Sequence, residues 1–429
     1  MTPIRTLALA ALLAGPALVH AEDWNFVRGP HGDGSSAEKI ASSWPADGPK
    51  VLWRVPSDNG FSSFAVGGGR AFTLELKTVE GAPQEVLVAR NADTGAELWT
   101  KPLGPVKYTG GGDDGAKDNN GGDGPRSTPT LDGGNVYVTS SKLVLTSFDA
   151  KTGAVVWRQD LMKDFGGPNI TWQNAASPLV EGNLVLVAGG GAGQSLLAFN
   201  KTDGKPVWKA FDETMTHATP TPATIHGQRQ AIFFVKSGLL SIEPKTGKEL
   251  WRFAFPWKTS TAASPVVAGD IVYCSAGYGV GAAACRVTKA GDTWKAEQIY
   301  RSEGNKPLAN HWSTPVLKDG HLYGMFQFKE YGDGPVKCVE VATGKVKWEK
   351  PGFGPGQVIL VGDKVLALGD AGQLVLIKAT PDSYEEIARA DILDGKCWTT
   401  PVLSNGRVYA RSTKEAVCVD VSPGGSAKR

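Results

Sequence analysis

Short runs in which apolar and polar residues alternate recur along the whole chain, and most of them follow a glycine turn. They read GRAFTLE from Gly69, then GNVYVTS, GNLVLVA, RQAIFFV, GDIVYCS, GHLYGMF, DKVLALG and GRVYARS. Alternation rich in β-branched and aromatic side chains predicts half-buried strands, and the short turns between them predict antiparallel hairpins. A Ser/Thr-Pro pair precedes six of the runs, as in STPTL from Ser127 and TTPVL from Thr399.

A second segment repeats in step with the strands and ends in tryptophan. FDAKTGAVVW ends at Trp157, and its equivalents end at Trp99, Trp208, Trp251 and Trp348, with a shortened copy at Trp294. Self-similarity at a period of roughly 40–60 residues is typical of solenoids and propellers. Each repeat then supplies four strands, which cannot bury both faces unless the repeats pack side by side.

The sequence therefore predicts an all-β fold, an eight-bladed β-propeller of four-stranded antiparallel blades over residues 50–423. The last repeat lacks a tryptophan strand, whereas PKVLWRVP, around Trp53, precedes the first repeat. We expect residues 50–56 to complete blade 8 by pairing with residues ~415–421, which closes the ring without a free edge. The tryptophans, Trp53 and Trp294 included, are predicted to fill the space between neighbouring blades.

The N-terminal segment MTPIRTLALAALLAGPALVHA has one arginine, an apolar run and small residues at Val19 and Ala21. This pattern predicts a signal peptide over residues 1–21, cleaved near Ala21. An N-terminal arm over 22–49 and a tail over 424–429 would flank the propeller. We expect a periplasmic or secreted protein that is soluble and monomeric and has no membrane anchor.

Composition narrows the function further. The 429 residues carry a net charge of +2 with acids and bases scattered, so nucleic acid is not an expected partner. Of five cysteines, Cys285, Cys338 and Cys418 occupy a repeat position that holds Ala or Ser in other repeats, which favours small core residues. Cys274 and Cys285 flank SAGYGVGAAA, and either they remain core thiols or they pair across this hairpin.

Residues just before the inner strands are predicted to ring the mouth of the central channel, where binding sites form in such folds. Three residues before the Ser/Thr-Pro proline (Phe64 in blade 1), the ring contains Phe61, Arg126, Ala175, His217, Ala262, Trp312 and Trp398. One position earlier lie Asn174, Thr216, Thr261 and His311. The candidate ligand-binding residues are Arg126, Asn174, His217, His311, Trp312 and Trp398. Arginine suits an anion, tryptophan a planar or sugar ring, and histidine a proton relay.

One long insertion, YTGGGDDGAKDNNGGDGPRS from Tyr108 to Ser127, leads into blade 2 and is predicted to overhang the channel mouth. Its acidic residues are weak candidates for Ca²⁺ ligands, and their spacing does not match the EF-hand template. They are Asp113, Asp114, Asp118 and Asp123. Otherwise we expect no metal. The loop is also a candidate lid or partner contact.

The tryptophan segments resemble the docking motif of the PQQ-like β-propeller family, which includes quinoprotein alcohol dehydrogenases and the outer-membrane assembly protein BamB. The lead-in DWNFVRGPHGDGSS is similar to that of an exported, uncharacterised branch of the family. In the dehydrogenases the resemblance implies PQQ, Ca²⁺ held by Glu, Asn and Asp, and two adjacent cysteines. This sequence has no Cys-Cys pair and no local match to those calcium ligands.

Three functions follow as hypotheses. The first is a non-catalytic binding or scaffold protein of the cell envelope, without a cofactor, whose partner is a protein, a small molecule or a glycan at the channel mouth. The second is a PQQ-dependent oxidoreductase for alcohols or sugars, with Arg126 on a PQQ carboxylate and Trp398 or Trp312 stacking on the quinone. The third, a carbohydrate-processing propeller, needs paired carboxylates that the ring does not contain.

Overall fold

A computed structural model describes residues 22–108, 124–306, 308–326 and 334–424. These residues form eight antiparallel sheets, and the prediction of an eight-bladed propeller is confirmed. The predicted signal peptide lies outside the described residues. Within the described residues, the helices are too short or too polar to cross a bilayer.

Blades 1 to 4 follow one another along the chain, each starting with its inner strand. Their strands are β3 (Ala65–Gly67), β4 (Arg70–Val79), β5 (Ala82–Asn91) and β6 (Glu97–Pro105); β7 (Thr130–Asp132), β8 (Asn135–Thr139), β9 (Val144–Asp149) and β10 (Val155–Asp160); β11 (Leu179–Glu181), β12 (Leu184–Ala188), β13 (Leu196–Asn200) and β14 (Pro206–Ala210); and β15 (Thr221–Ile225), β16 (Gln228–Val235), β17 (Gly238–Ile242) and β18 (Glu249–Ala254). One short helix, α1 (Leu161–Phe165), follows β10.

Blades 5 to 8 continue in the same order, and the N-terminal region adds one strand to each of the last two. The strands are β19 (Val266–Ala268), β20 (Ile271–Ala276), β21 (Gly281–Ala290) and β22 (Thr293–Ser302); β23 (Val316–Lys318), β24 (His321–Met325), β25 (Val336–Glu340) and β26 (Val346–Lys350); β27 (Gln357–Val361), β28 (Lys364–Leu368), β29 (Gln373–Lys378) and β30 (Glu386–Asp391) with β1 (Ser35–Ser36); and β31 (Val402–Ser404), β32 (Arg407–Arg411) and β33 (Glu415–Asp420) with β2 (Lys50–Pro56).

The ring closes between the two ends of the chain. Strand β2 pairs antiparallel with β33, with Lys50 opposite Asp420 and Val55 opposite Ala416. The predicted pairing of residues 50–56 with ~415–421 is thus confirmed. Because β2 is the outer strand of blade 8, unfolding that blade requires the N-terminal segment to detach as well.

Most of the repeated tryptophans join one blade to the next. The indole N–H of Trp53 donates to Ala92 O at 2.9 Å, and that of Trp157 to Lys201 O at 2.9 Å. Those of Trp208 and Trp348 bond to Pro244 O and Thr380 O at 2.8 Å in the same way. Each carbonyl belongs to the following blade, so these indoles both fill the space and form a hydrogen bond between blades.

The residue across the strand from each docking tryptophan is small. Trp99 lies opposite Ala89, and Trp348 lies opposite Cys338. Cys418 faces Trp53 in the same way. The repeat position that alternates between Ala, Ser and Cys is therefore restricted in size by the indole above it. All five cysteines are buried free thiols in the structure, Cys274 and Cys285 included.

Trp294 departs from the pattern, because it contacts the preceding blade rather than the following one. It pairs with Lys289 near the start of the long strand β22, and it packs against the hydrophobic cluster shared by blades 4 and 5. There its ring lies 6.1 Å from that of His226. Tyr300 takes the docking position instead, because a Cβ added to Gly344 of blade 6 would meet the Tyr300 ring at 2.9 Å. The longer β21–β22 hairpin shifts the tryptophan outward.

The N-terminal arm crosses one end of the channel and touches blades around most of the ring. Trp24, fully buried, bridges to Val66 in blade 1, and Leu131 N of blade 2 donates to Asn25 O at 2.8 Å. Strand β1 then pairs parallel with inner strand β27 of blade 7. The Glu38 carboxylate accepts backbone N–H groups of blade 8, with Gly406 N at 2.6 Å. The arm therefore closes this end of the channel.

Candidate functional site

A cavity of about 330 Å³ lies on the propeller axis between the N-terminal arm and the mouth of the ring. Val27 and Arg28 of the arm belong to its lining and form the floor. Above them the wall contains the hydroxyl residue that precedes each inner strand. These residues are Ser63, Thr128, Ser177, Thr219, Ser264, Thr314 and Thr400, with Gln357 in the equivalent place of blade 7.

The hydroxyl residues also join the inner strands to one another. Ser63 N donates to Thr128 Oγ1 at 3.0 Å, and Thr128 N donates to Ser177 Oγ at 2.9 Å. The chain of bonds continues from Ser177 N to Thr219 Oγ1 at 2.9 Å, and Thr400 N returns to Ser63 Oγ at 2.7 Å. The Ser/Thr-Pro motif therefore has a structural cause. The hydroxyl accepts a backbone N–H from the neighbouring blade, and proline, which has no N–H, follows at a strand edge that has no partner strand.

The predicted mouth ring surrounds the upper part of this cavity. All seven residues three positions before the proline line it, and they are Phe61, Arg126, Ala175, His217, Ala262, Trp312 and Trp398. His311, from the position before, lines it too. Asn174 does not, because its Nδ2 is turned into the wall and donates to Ala176 O at 3.2 Å and to Ser140 O at 3.3 Å. Asn174 is a structural residue.

The mouth is an almost continuous belt of rings. Phe61 lies 5.0 Å from Trp398, which lies 4.7 Å from Trp312, and the Trp312 ring is 4.7 Å from His311. Tyr278 continues the belt with its ring 4.8 Å from His311. Tilted and edge-on pairs of this kind hold each ring in a defined orientation. The apolar faces therefore stay available around a common axis.

Two members of the belt could not be read from the repeat. Trp172 and Tyr278 stack with ring centroids 6.0 Å apart and planes 13° from parallel. Both have positive φ angles, 64° and 55°, a conformation that side chains other than glycine seldom adopt. They belong to loops between repeated strands, so no fixed spacing identifies them. Strained backbone of this kind concentrates at binding and catalytic sites.

His217 is held by hydrogen bonds on both ring nitrogens. Nε2 lies 2.9 Å from Thr171 O, which can only accept, so Nε2 carries the proton and Nδ1 accepts from Ser260 Oγ at 2.8 Å. Burial, with the charge of Arg126, lowers the pKa of His217 to about 4. The imidazole is therefore neutral near pH 7 and fixed in one tautomer. A neutral imidazole with both nitrogens bonded argues against the predicted proton relay through His217, and the described lining of the cavity has no carboxylate to support an imidazolium.

Arg126 lies in the wall of the cavity. Its Nη1 donates to Trp172 O at 3.1 Å, and its guanidinium carbon lies 5.8 Å from the Phe61 ring and 5.5 Å from the Tyr108 ring. Lys396 adds a second cation, with Nζ 4.3 Å from the Trp398 ring. The mouth thus combines cations with ring faces. Asp113, Asp114, Asp118 and Asp123 lie outside the described residues, so the Ca²⁺ hypothesis for the loop stays a prediction.

The donor set of the cavity does not fit the Ca²⁺–PQQ pair of quinoprotein dehydrogenases. Calcium takes six to eight oxygen ligands, carboxylates prominent among them. The described residues that line the cavity include no Asp or Glu. Nor does the described part of the chain contain a group of three or more His, Cys, Asp or Glu suited to a metal.

Comparison with known proteins agrees with this fold. The family model described as "Outer membrane protein assembly factor BamB" matches residues 82–350. The chain belongs to this family of PQQ-like propellers. The curated BamB of Shewanella oneidensis is 25% identical over 238 residues, which cover 52% of this chain and 56% of that protein. The match thus spans little more than half of that relative.

Solved structures extend the similarity to most of the chain. A quinohemoprotein alcohol dehydrogenase from Comamonas testosteroni superimposes with a TM-score of 0.64 at 14% identity, over 95% of this chain and 81% of that one. BamB from Moraxella catarrhalis gives a TM-score of 0.58 at 15% identity, over 86% and 99%. At these identities the structures establish the shared propeller only. Because binding proteins and enzymes share this fold, the function has to be inferred from the residues of the site.

Proposed function

We propose that this chain is a non-catalytic binding protein of the cell envelope and that its binding site is the axial cavity. One observation carries the proposal: a cavity on the axis is lined by the N-terminal arm, by oriented rings and by hydroxyls. Rigid concave sites with convergent polar groups are typical of ligand-binding proteins. The groups present suit recognition better than reaction.

The electrostatics of the mouth support binding over acid-base chemistry. A general acid or base works best when its pKa lies near the operating pH. His217 has a pKa of about 4 and both of its ring nitrogens are already bonded within the protein. The Trp312 indole N–H is buried without a hydrogen-bond partner among the described residues. Buried donors nearly always find a partner, and a bound ligand or water would supply one here.

The names of the relatives and the N-terminal segment support a role in the envelope. The BamB relatives are named as outer-membrane assembly factors, and residues 1–21 have the pattern of a signal peptide. We therefore include export in the proposal. Fractionation of the native host, with the mass of the recovered protein, tests it. A periplasmic form that begins at Glu22 is expected, and a full-length cytoplasmic form would contradict export.

Calorimetric titration with PQQ, with and without Ca²⁺, tests the non-catalytic character. We expect no Ca²⁺-dependent binding, because the described lining has no carboxylate to share with the metal. Arg126→Ala serves as the matched variant. Saturable, Ca²⁺-dependent PQQ binding that weakens in Arg126→Ala, followed by turnover of an alcohol or sugar with an artificial acceptor, would replace the proposal with a quinoprotein oxidoreductase.

A further inference from the structure

Arg28, on the floor of the cavity, is a buried cation without a bonded counter-anion in the described part of the chain. Its side chain is 94% buried, since the residue retains 6% exposure. Nη1 donates to Thr314 O at 3.2 Å, and Nη2 donates to Asp33 O at 2.8 Å and to Pro315 O at 3.0 Å. All three acceptors are neutral carbonyls. A guanidinium has five N–H groups, so two are left without a partner among the described residues.

The Asp33 carboxylate acts on this charge but does not neutralise it. Asp33 is exposed, and its Oδ1 accepts from Ser35 N at 2.8 Å and from Ser35 Oγ at 2.7 Å. Burial, only partly offset by the charge of Asp33, lowers the pKa of Arg28 to about 10. A buried charge normally has a paired or coordinated partner. Around Arg28 the described residues supply only neutral carbonyl acceptors and the exposed carboxylate of Asp33.

The hydroxyl ring beside Arg28 has unused donors. Five of its oxygens accept a backbone N–H from a neighbouring blade, and none of the five donates its own proton to a described residue. They are the hydroxyls of Ser63, Thr128, Ser177, Thr219 and Thr314. Since a hydroxyl donates one proton as well as accepting, the wall offers several O–H groups around the axis. The described lining contains no carboxylate to accept them.

We propose that the floor of the cavity is an oxyanion site, in which Arg28 and the ring of hydroxyl protons hold a carboxylate or phosphate group on the propeller axis. This inference rests on the proposed binding function and specifies its ligand class. The oxyanion is either a free inorganic ion or the charged end of a small ring compound whose body meets the aromatic belt. Charge-assisted hydrogen bonds from arginine to an oxyanion are strong and directional.

Calorimetry on the mature chain with three probes tests the site: sodium phosphate, benzoate, and benzyl alcohol, which keeps the ring and removes the charge. We expect saturable binding of phosphate or benzoate, with benzyl alcohol weaker by at least about 10-fold, as loss of a charged hydrogen bond predicts. Binding of phosphate alone identifies a free ion as the ligand. Preference for benzoate identifies a ring compound.

Variants assign the site to these residues. Arg28→Met should weaken binding of the anion by about 30-fold or more, whereas Arg28→Lys, which keeps the charge, should lose about 5-fold or less. Arg158→Met, on the exposed outer strand of blade 2, is the matched control and should change nothing. If Arg28→Met fails to fold, Thr219→Val against Thr219→Ser gives the same comparison, because only the valine removes a hydroxyl.

Three results would overturn the oxyanion site. One is equal affinity for benzoate and benzyl alcohol, and another is binding that is indifferent to both Arg28→Met and Thr219→Val. In these two cases the cavity still binds ligands, so the proposed function survives. The third is no saturable binding of either anion up to high millimolar concentration. The proposed function itself fails only if the cavity is also found to hold no ligand in protein taken from the native host.

Discussion

Ser260 Oγ donates to His217 Nδ1 at 2.8 Å. Because Nδ1 must be unprotonated to accept this bond, the folded state favours the neutral imidazole. A histidine whose folded pKa is about 4 lies well below its ordinary value of about 6.5 in the unfolded chain. Between these pH values the unfolded state binds one more proton than the folded state. Stability therefore rises with pH in this window and is lost as pH falls through it.

The first prediction follows directly from that sign. Between pH 6.5 and pH 4 the wild type should lose about 3 kcal/mol of unfolding free energy that His217→Asn does not lose, taking 1.36 kcal/mol per pKa unit. Urea denaturation of both proteins at pH 7.5, 5.5 and 4.5 measures the difference. Parallel pH dependence in the two proteins would show that the imidazole is not held neutral.

The second prediction concerns the tryptophans. Trp53→Ala should lower the unfolding free energy by about 3–5 kcal/mol, because it empties a buried position and breaks the bond to Ala92 O. Trp294→Ala should cost less than about 1.5 kcal/mol, since Trp294 is only partly buried and makes no hydrogen bond to a neighbouring blade among the described residues. Urea midpoints of the two variants separate docking from peripheral tryptophans. Equal losses would restore a docking role for Trp294.

These positions show how far the sequence predicts the structure. The blade count, the closing strand and the seven mouth residues follow from the repeat, because equivalent spacing places residues at equivalent points of a ring. Trp294 differs from the other repeats because the β21–β22 hairpin is longer than its counterparts. Asn174 has the correct spacing, but its side chain turns into the wall. Position along a repeat does not determine where a polar side chain finds its partners.

The residues that form the floor of the cavity could not be predicted from the sequence, for a different reason. Arg28 belongs to a segment outside the repeats, and it reaches the axis only because the arm is pinned by Trp24 and by strand β1. Trp172 and Tyr278 likewise lie in loops of individual length. Only the structure identifies these two residues, through their stacked rings and their positive φ angles.

The third prediction concerns Arg411, a fully buried arginine that joins blade 8 to blade 1. Its guanidinium donates to Ser62 O at 3.1 Å and to Leu74 O at 3.2 Å, and Nε donates to Ser57 Oγ at 3.1 Å. Burial by itself raises the pKa of nearby Glu75, but the positive charges around it, led by Arg411, outweigh this and hold that pKa below its usual value. Arg411 thus stabilises the charged Glu75 carboxylate and donates hydrogen bonds to several buried carbonyls.

Removing Arg411 takes a donor from the buried Ser62 and Leu74 carbonyls and one of the positive charges from Glu75, which keeps its ion pairs with Lys77 and Arg90. Arg411→Met should cost about 3–5 kcal/mol of unfolding free energy, as breaking one side of a buried ionic network does. Arg411→Lys, which keeps the charge but has fewer donors, should cost clearly less. Thermal and urea unfolding measure both. A neutral Arg411→Met variant would mean that the network adds nothing to closure of the ring.

The fourth prediction separates the mouth from the fold. Trp312→Ala and Trp398→Ala should each weaken ligand binding by about 10-fold or more, since each ring contributes stacking area of the kind that dominates small-ligand sites. Their unfolding midpoints should fall by less than that of Trp53→Ala, because both belong to the mouth rather than to a blade contact. Val156→Ala, on an exposed outer strand, serves as the surface control. Binding that survives both tryptophan changes would place the ligand elsewhere.

The central claim is that the axial cavity holds a ligand in the native protein. Native mass spectrometry of protein purified gently from the envelope fraction of its own host tests it, with the Trp312→Ala/Trp398→Ala double variant prepared in parallel. We expect a mass excess on the wild type that denaturation releases as a small molecule and that the double variant lacks. Wild-type protein that carries only the mass of its own chain would contradict it.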